Sequence, residues 1–558
     1  MRWPTLNLRV GAWRAALGAA IAIAVLGAVS CARDDAPGRL QGDPSPLVLT
    51  RSLGGQPGSL DPQRAEDAFS YDVLRDLYEG LTSSTPNGEV VPATATSWRI
   101  EAEGRVYHFQ LREDARWSNG DRVTAADFVA GFRRAVDPAT VSGAADLLRA
   151  IENAPAILRG ELRSEHLGVR AIDEQTLEIR LSRPVPYFPD ILTNTVASPV
   201  HASSISGAGF TKPGTTVTNG PYVLAEFVPG SSIRLARNRS YWGHSAVPYD
   251  EIHYVFVPDE NAEFMRFRSG EIDVTNSVPE HRFRELLATP GSGLQHRSTL
   301  ATFYLTFNTE RGPLRGQRGL REALSLAVDR RAIAESVASA GQVPAYSLVP
   351  DDAWNYAPAA YAWRDAPASE RIARARKLYA QAGYSADRPL RLRLLYNENE
   401  LVQRVCVAIA SMWMEVLGVQ TDLVQMEFKA YLATRADPAQ WDVVRVGWTA
   451  DYNDASTFLD TMTRDSPQNF GHWASAEYER LLAAAADEPD PARRRATMQR
   501  AESLMLGDYP LLPVYFYVTR RLVQPRVDAP PINPMNRTYS RYFRPAAQVR
   551  ATSPPSPS

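Results

Sequence analysis

Between residues 390 and 449 the apolar positions switch from a period of two to a helical period and back. Leu390, Leu392 and Leu394 alternate as on a strand with one buried face. Apolar residues then recur at 401, 405, 408, 409, 412, 413 and 416, the stripe of an amphipathic helix that Gly418 closes. A strand over Val419–Met426, a helix over Phe428–Ala436 and a strand beginning at Trp441 follow. The order βαβαβ predicts a mostly parallel sheet. Its last strand ends in a polar tip. Val443, Val444 and Val446 suit a sheet interior, and Arg445 interrupts them with a charge that needs a partner or a cleft. Gly447 lets another backbone come close, Trp448 offers a flat apolar wall, and Asp451 puts a carboxylate beyond the strand end. Ligands of open α/β sheets bind at such ends.

The first half of the chain has a different pattern. Val106–Leu111 and Thr176–Leu181 read as strands bounded by turn residues, and Thr124-Ala-Ala-Asp127 opens an amphipathic helix as a capping box. This is an α+β segment with hairpins. Further strands are expected over Tyr222–Phe227 and Ser232–Ala236. No internal repeat is visible.

At the N-terminus Arg2, Arg9 and Arg14 precede an apolar run from Ala15 to Val29 that stops at Ser30-Cys31. A basic start, a short Ala-rich core and small residues before a cut form a secretory signal. Two outcomes stay open: acylation of Cys31 after cleavage, as in a lipoprotein, or ordinary cleavage that releases a soluble protein. Residues 32–46 read as a Pro/Gly/Asp tether and 548–558 as a disordered tail. The only other cysteine, Cys406, lies on the apolar face of a predicted helix as a core thiol, so the mature body holds no disulfide. Net charge is −2 and the arginines are scattered, which argues against a nucleic-acid footprint. The eight histidines show no zinc spacing, so no metal and no cofactor is expected. No Gly-x-Ser-x-Gly elbow, phosphate loop or dinucleotide fingerprint occurs, and an enzyme is not expected. A hydrolase using a distant carboxylate pair is the remote alternative.

The polar strand tip suits one kind of guest, an extended peptide that adds its main chain to a free strand edge and presents an ammonium to a carboxylate. The segment Trp441 to Asn453 resembles the corresponding one in bacterial oligopeptide-binding proteins, the extracytoplasmic receptors of peptide ABC importers. So do Ser59-Leu-Asp-Pro62, Asp76-Leu-Tyr-Glu-Gly-Leu81, the run Trp117 to Phe128, Thr218-Asn-Gly-Pro-Tyr222, Arg268 to Asp273, Ala323 to Arg330 and Asn533-Pro-Met-Asn536, in order along nearly everything after residue 46.

The resemblance implies a periplasmic-binding-protein-like type II fold: two main α/β lobes, an additional small α+β domain and a hinge. Residues 47–78, 201–304 and 519–547 would form lobe I, 79–200 the inserted domain and 305–518 lobe III. Crossovers near Tyr304–Asn308 and Tyr515–Thr519 would serve closure around a ligand. It also implies that Asp451, in the motif Ala450-Asp-Tyr452-Asn453, pairs with a peptide α-amino group; capping of the helix that follows is the competing role. Gly447, Trp448 and Thr449 would offer backbone groups, with Trp448 as pocket wall or core. Glu66, Asp67 and Ala68 would pair with the other side of the ligand, or simply precede a helix over Phe69–Glu79. Arg445 and Arg435 would reach the peptide's C-terminal carboxylate, or form structural ion pairs. Val402 stands where relatives carry a histidine, and Ser336–Gln342 lacks their lysine, which leaves peptide length open. The implied partners are a short peptide, a permease with its ATPase, and a membrane reached through the Cys31 anchor, the protein itself being a monomer. A metal chelate, a sugar or a murein peptide is the alternative ligand.

Overall fold

The computed structural model describes residues 46–206 and 209–547; the leader, Cys31, nearly all of the tether and the C-terminal tail lie outside them. The strand–helix alternation of the C-terminal half is present as strand Arg391–Asn397, helix Glu400–Leu417, strand Gln420–Met426, helix Phe428–Arg435 and strand Val443–Thr449. The long helix starts where the Asn399 side chain accepts from the Val402 N–H. It stops at Gly418, whose φ of 77° a residue with a Cβ adopts only under strain.

These three strands run parallel, with 391–397 between the other two. The sheet as a whole is mixed, which departs from the mostly parallel expectation. On the other side of strand 443–449 lies Leu294–Phe307, antiparallel to it, followed by Leu511–Leu522, antiparallel again. These two long strands enter from outside the βαβαβ unit, and nothing in that unit's local pattern announces them.

A second sheet has the order 48–53, 251–256, 232–237, 222–228, with only the first pair parallel. A third, antiparallel throughout, joins 95–101, 106–111, 176–180 and 169–171. The helix Ala125–Val136 that packs on it carries the predicted capping box, the Thr124 N–H donating to Asp127 at 2.8 Å. The second and third sheets share one apolar core that includes Leu49, Leu74, Phe109, Phe128, Tyr222 and Ile252. The mixed sheet has its own core around Leu305, Leu394, Cys406, Trp413 and Val443.

The strands 294–307 and 511–522 run between the two cores. Their pairing register breaks between Ser298 and Thr302, and Leu300, Phe303 and Tyr304 already pack in the C-terminal core, upstream of the expected crossover at Tyr304–Asn308. At the far end Leu522 packs with Phe264, Phe267 and Val278, and Val523 bridges to Val274 beside strand 48–53.

Candidate functional site

Strand 443–449 is paired along its whole length with 294–307, but with 391–397 only at Val443 and Val444. Beyond Val444 no described strand bonds its second edge. The Arg445 carbonyl is taken by the Tyr431 hydroxyl, and the stretch beyond it, at Gly447 and Thr449, has no strand partner on that edge and faces a cleft, the arrangement that accepts an added extended chain.

Side chains alternate across that edge. Arg445, Gly447 and Thr449 line a cleft of about 450 Å³ together with Thr299–Ala301, Tyr517–Thr519 and the Pro534–Asn536 turn. Arg445 is held by neutral groups: it donates to Asn397 at 3.2 Å and Tyr517 at 2.6 Å and lies over the Phe303 ring at 4.8 Å. Burial works against its charge, but the surrounding tyrosines more than offset this, so its pKa stands above the ordinary arginine value. No carboxylate pairs with it, and its Nε is buried without a partner among the described residues. Gly447 gives this cluster room, since a Cβ there would crowd the Tyr517 hydroxyl at 3.1 Å and the Arg445 guanidinium at 3.2 Å.

Trp448 points the other way and is half-buried rather than core, its indole N–H donating to the Thr457 hydroxyl at 3.4 Å. Arg435 is on that second face too. The connection 397–420 passes to one side of strand 391–397 and the connection 426–443 crosses back over it, so two right-handed crossovers place their helices on opposite faces. Arg435 stacks on Phe470 at 4.0 Å, and both it and Arg445 act on Tyr304 and Tyr431. The two arginines flank the free edge from opposite sides and do not share a pocket.

Asp451 sits just past the strand, its N–H donating to Thr457 at 3.3 Å. Its carboxylate has no hydrogen bond or ion pair among the described residues. The residue is exposed at the cleft, and partial loss of water around its carboxylate pushes its pKa above the ordinary aspartate value. Asp451 makes no such bond to the helix that follows; Asp454 accepts from the Ser456 N–H at 2.9 Å at the start of the short helix Ser456–Leu459.

The 66–68 segment faces this carboxylate. Burial pushes the Tyr71 phenol up, Arg75 opposes it, and Asp67, Glu66 and Asp451 all add to it, which puts the three acids within electrostatic reach of one ring. Asp67 caps the helix Ala68–Leu77, accepting from the Ser70 N–H at 2.8 Å, so its side chain is committed locally. Glu66 and Ala68 are exposed. Tyr452 and Asn453 are turned inward. Tyr452 stacks on Tyr187 at 4.2 Å; Asn453 is buried, donating its N–H to Asp190 at 2.8 Å and accepting from the Trp354 N–H at 2.9 Å.

Tyr517, Asn397 and Asn536 escaped the sequence reading as site residues. Asn533-Pro-Met-Asn536 carried the only signal. It forms a turn in which Asn536 has φ 52° and Pro534 accepts from the Leu300 N–H at 2.9 Å. Among the described residues no group of three or more His, Cys, Asp or Glu could hold a metal ion, and no helix is long and apolar enough to cross a membrane.

Comparison with known proteins agrees with this geometry. Residues 89–470 match the model for bacterial extracellular solute-binding proteins, family 5 Middle. The periplasmic oligopeptide-binding protein OppA of Escherichia coli is 38% identical over 503 residues, covering 88% of this chain and 92% of the relative. The unliganded open form of the periplasmic murein tripeptide-binding protein MppA superposes with a TM-score of 0.83 at 35% identity, covering 90% of this chain and 98% of that one. A second structure of the Escherichia coli murein tripeptide-binding protein gives 0.74 at 36% identity, with 90% and 99% covered. The fold is the type II periplasmic-binding-protein fold, and the chain belongs to the family 5 bacterial extracellular solute-binding proteins.

Proposed function

We propose that the chain is the peptide-binding component of an ABC importer, acting in the periplasm as its relatives do. It would take a short peptide from solution and deliver it to the permease without chemistry on the ligand. The observation that carries this reading is Asp451, an exposed carboxylate with no partner among the described residues, two residues beyond the end of a strand with a free edge. A peptide's ammonium would supply the missing cation, its main chain would extend the strand, and Arg445 would meet its C-terminal carboxylate on one side of that edge. Arg435, on the other face, would serve a side-chain pocket.

The proposed lobe I and inserted domain would share one core and lobe III would have the other, with Leu300, Phe303 and Tyr304 on the lobe III side and the long strands 294–307 and 511–522 as the link. The greater likeness to an open, unliganded relative supports reading this structure as the open state, which a peptide touching both lobes would shift toward closure. Anchoring through an acylated Cys31 completes the proposal; Cys31→Ala would then move the protein from the membrane fraction to the soluble periplasm.

Native mass spectrometry of the purified protein tests the central claim. Co-purified peptides with free N-termini are expected, and a murein tripeptide added to the ligand-free protein would show whether that subclass is accepted. Retention of sugars or metal chelates in place of peptides would overturn the reading.

A further inference from the structure

A cavity of about 460 Å³, as large as the cleft at the strand edge, lies between the segments 149–187 and 456–498. Its walls draw on both large cores, Tyr187 from one and Met498 from the other. None of Arg445, Gly447 or Asp451 lines it.

Four charged side chains there are idle: Asp460, Arg149, Arg183 and the exposed Asp465. Asp460 is half-buried and its carboxylate has no hydrogen bond or ion pair among the described residues. Burial pushes its carboxyl up to about 6, with Arg183 opposing from beyond ion-pair distance. Arg149 and Arg183 are exposed at the cavity and likewise bond to nothing described. Arg494, by contrast, is spent on Asp454 through contacts of 2.7 and 2.8 Å. A carboxylate short of water and of a cation is costly to bury, and an arginine fork fits a carboxylate. The volume is in the range of small-molecule sites.

We propose that this cavity is a second binding site, for a small zwitterion whose ammonium meets Asp460 and whose carboxylate meets Arg149 and Arg183. A ligand held this way would tie the 149–187 segment to the 456–498 segment. The inference does not rest on the peptide reading, since it uses neither the strand edge nor Asp451.

Calorimetric titration of the whole protein with glycine, β-alanine and γ-aminobutyrate, which space the two charges by increasing lengths, tests it. At least one should bind the wild type, Asp460→Asn should weaken it by about tenfold or more, and Asp451→Asn should leave it unchanged. Arg183→Gln should weaken it as well, and it carries the test should Asp460→Asn fold poorly. The proposal is overturned if none of the three binds, if Asp460→Asn and Arg183→Gln bind like the wild type, or if Asp451→Asn alone loses binding, which would assign the zwitterion to the cleft.

Discussion

Asp451 and Asp454 sit three residues apart on one loop and have opposite surroundings. Asp454 is buried, gripped by both terminal nitrogens of Arg494 and by the Ser456 N–H. Asp451 is exposed and has no counter-charge among the described residues. The same contrast separates the arginines. Arg537 is paired with Asp190 at 2.7 Å, and Arg494 with Asp454, whereas Arg445 rests on an amide, a phenol and a ring. A charge completed inside the protein belongs to the fold, while a charge held in place but left incomplete is available to a ligand.

The largest effect that can break this contrast is on stability. Arg494→Ala strands a buried carboxylate, and losing one partner of such a pair costs about 3–5 kcal/mol. Chemical denaturation should show that loss, whereas Asp451→Asn should leave the midpoint unchanged or slightly raised. Equal destabilisation by both would mean that Asp451 has a structural partner after all.

On affinity the ranking should reverse. Asp451→Asn removes the charge opposite the ligand's ammonium, at a cost of about 2–5 kcal/mol. N-acetylation of the peptide removes the same charge from the other side. A calorimetric double-mutant cycle should therefore find the variant nearly indifferent to acetylation. If acetylation costs the variant as much as the wild type, Asp451 is not the amine anchor.

Arg445→Gln should do less, about 1.5–3 kcal/mol, the usual worth of a hydrogen bond to a charged group. The loss should vanish for a C-terminally amidated peptide. Because Asn397 and Tyr517 are neutral, the variant leaves no buried charge behind and should melt like the wild type. A lowered melting temperature with unchanged affinity would move Arg445 to the structural class.

Local signals made much of this legible in the chain. The helix 400–417 was readable because its apolar stripe and its Gly418 stop lie within one segment. The antiparallel pair 294–307 and 511–522 was not, since strands two hundred residues apart leave no mark in each other's periodicity. That gap also hid Tyr517, which reads as one more residue in an apolar run yet fixes Arg445. Arg445 aligned without gaps from Asp451 and Arg435 only with one inserted residue, and the strand order, which sends successive crossovers to opposite faces, separates them further. Asn453 shares a motif with Asp451, but its bonds to Asp190 and Trp354 are long-range and invisible to the motif.

The smallest predicted effect is also the most specific to Asp451, because it depends on the incompleteness of that carboxylate. Its pKa is raised in the folded protein by loss of water, so just above the ordinary carboxylate range the native state binds more protons than the unfolded one. Stability from this group is then greatest at low pH and declines as pH rises through the raised value. A bound ammonium would reverse the shift by favouring the ionised form. Peptide binding should therefore release a fraction of a proton on the acid side, and affinity should fall as pH drops through the raised pKa of the free protein. It should fall again in alkali as the peptide's own amine, with a pKa of about 8, loses its charge. Titrations in buffers of different ionisation enthalpy would count the released protons. The acid-side release should disappear in Asp451→Asn, and its persistence there would transfer the titration to another carboxylate and leave Asp451 no more a binding group than Asp454.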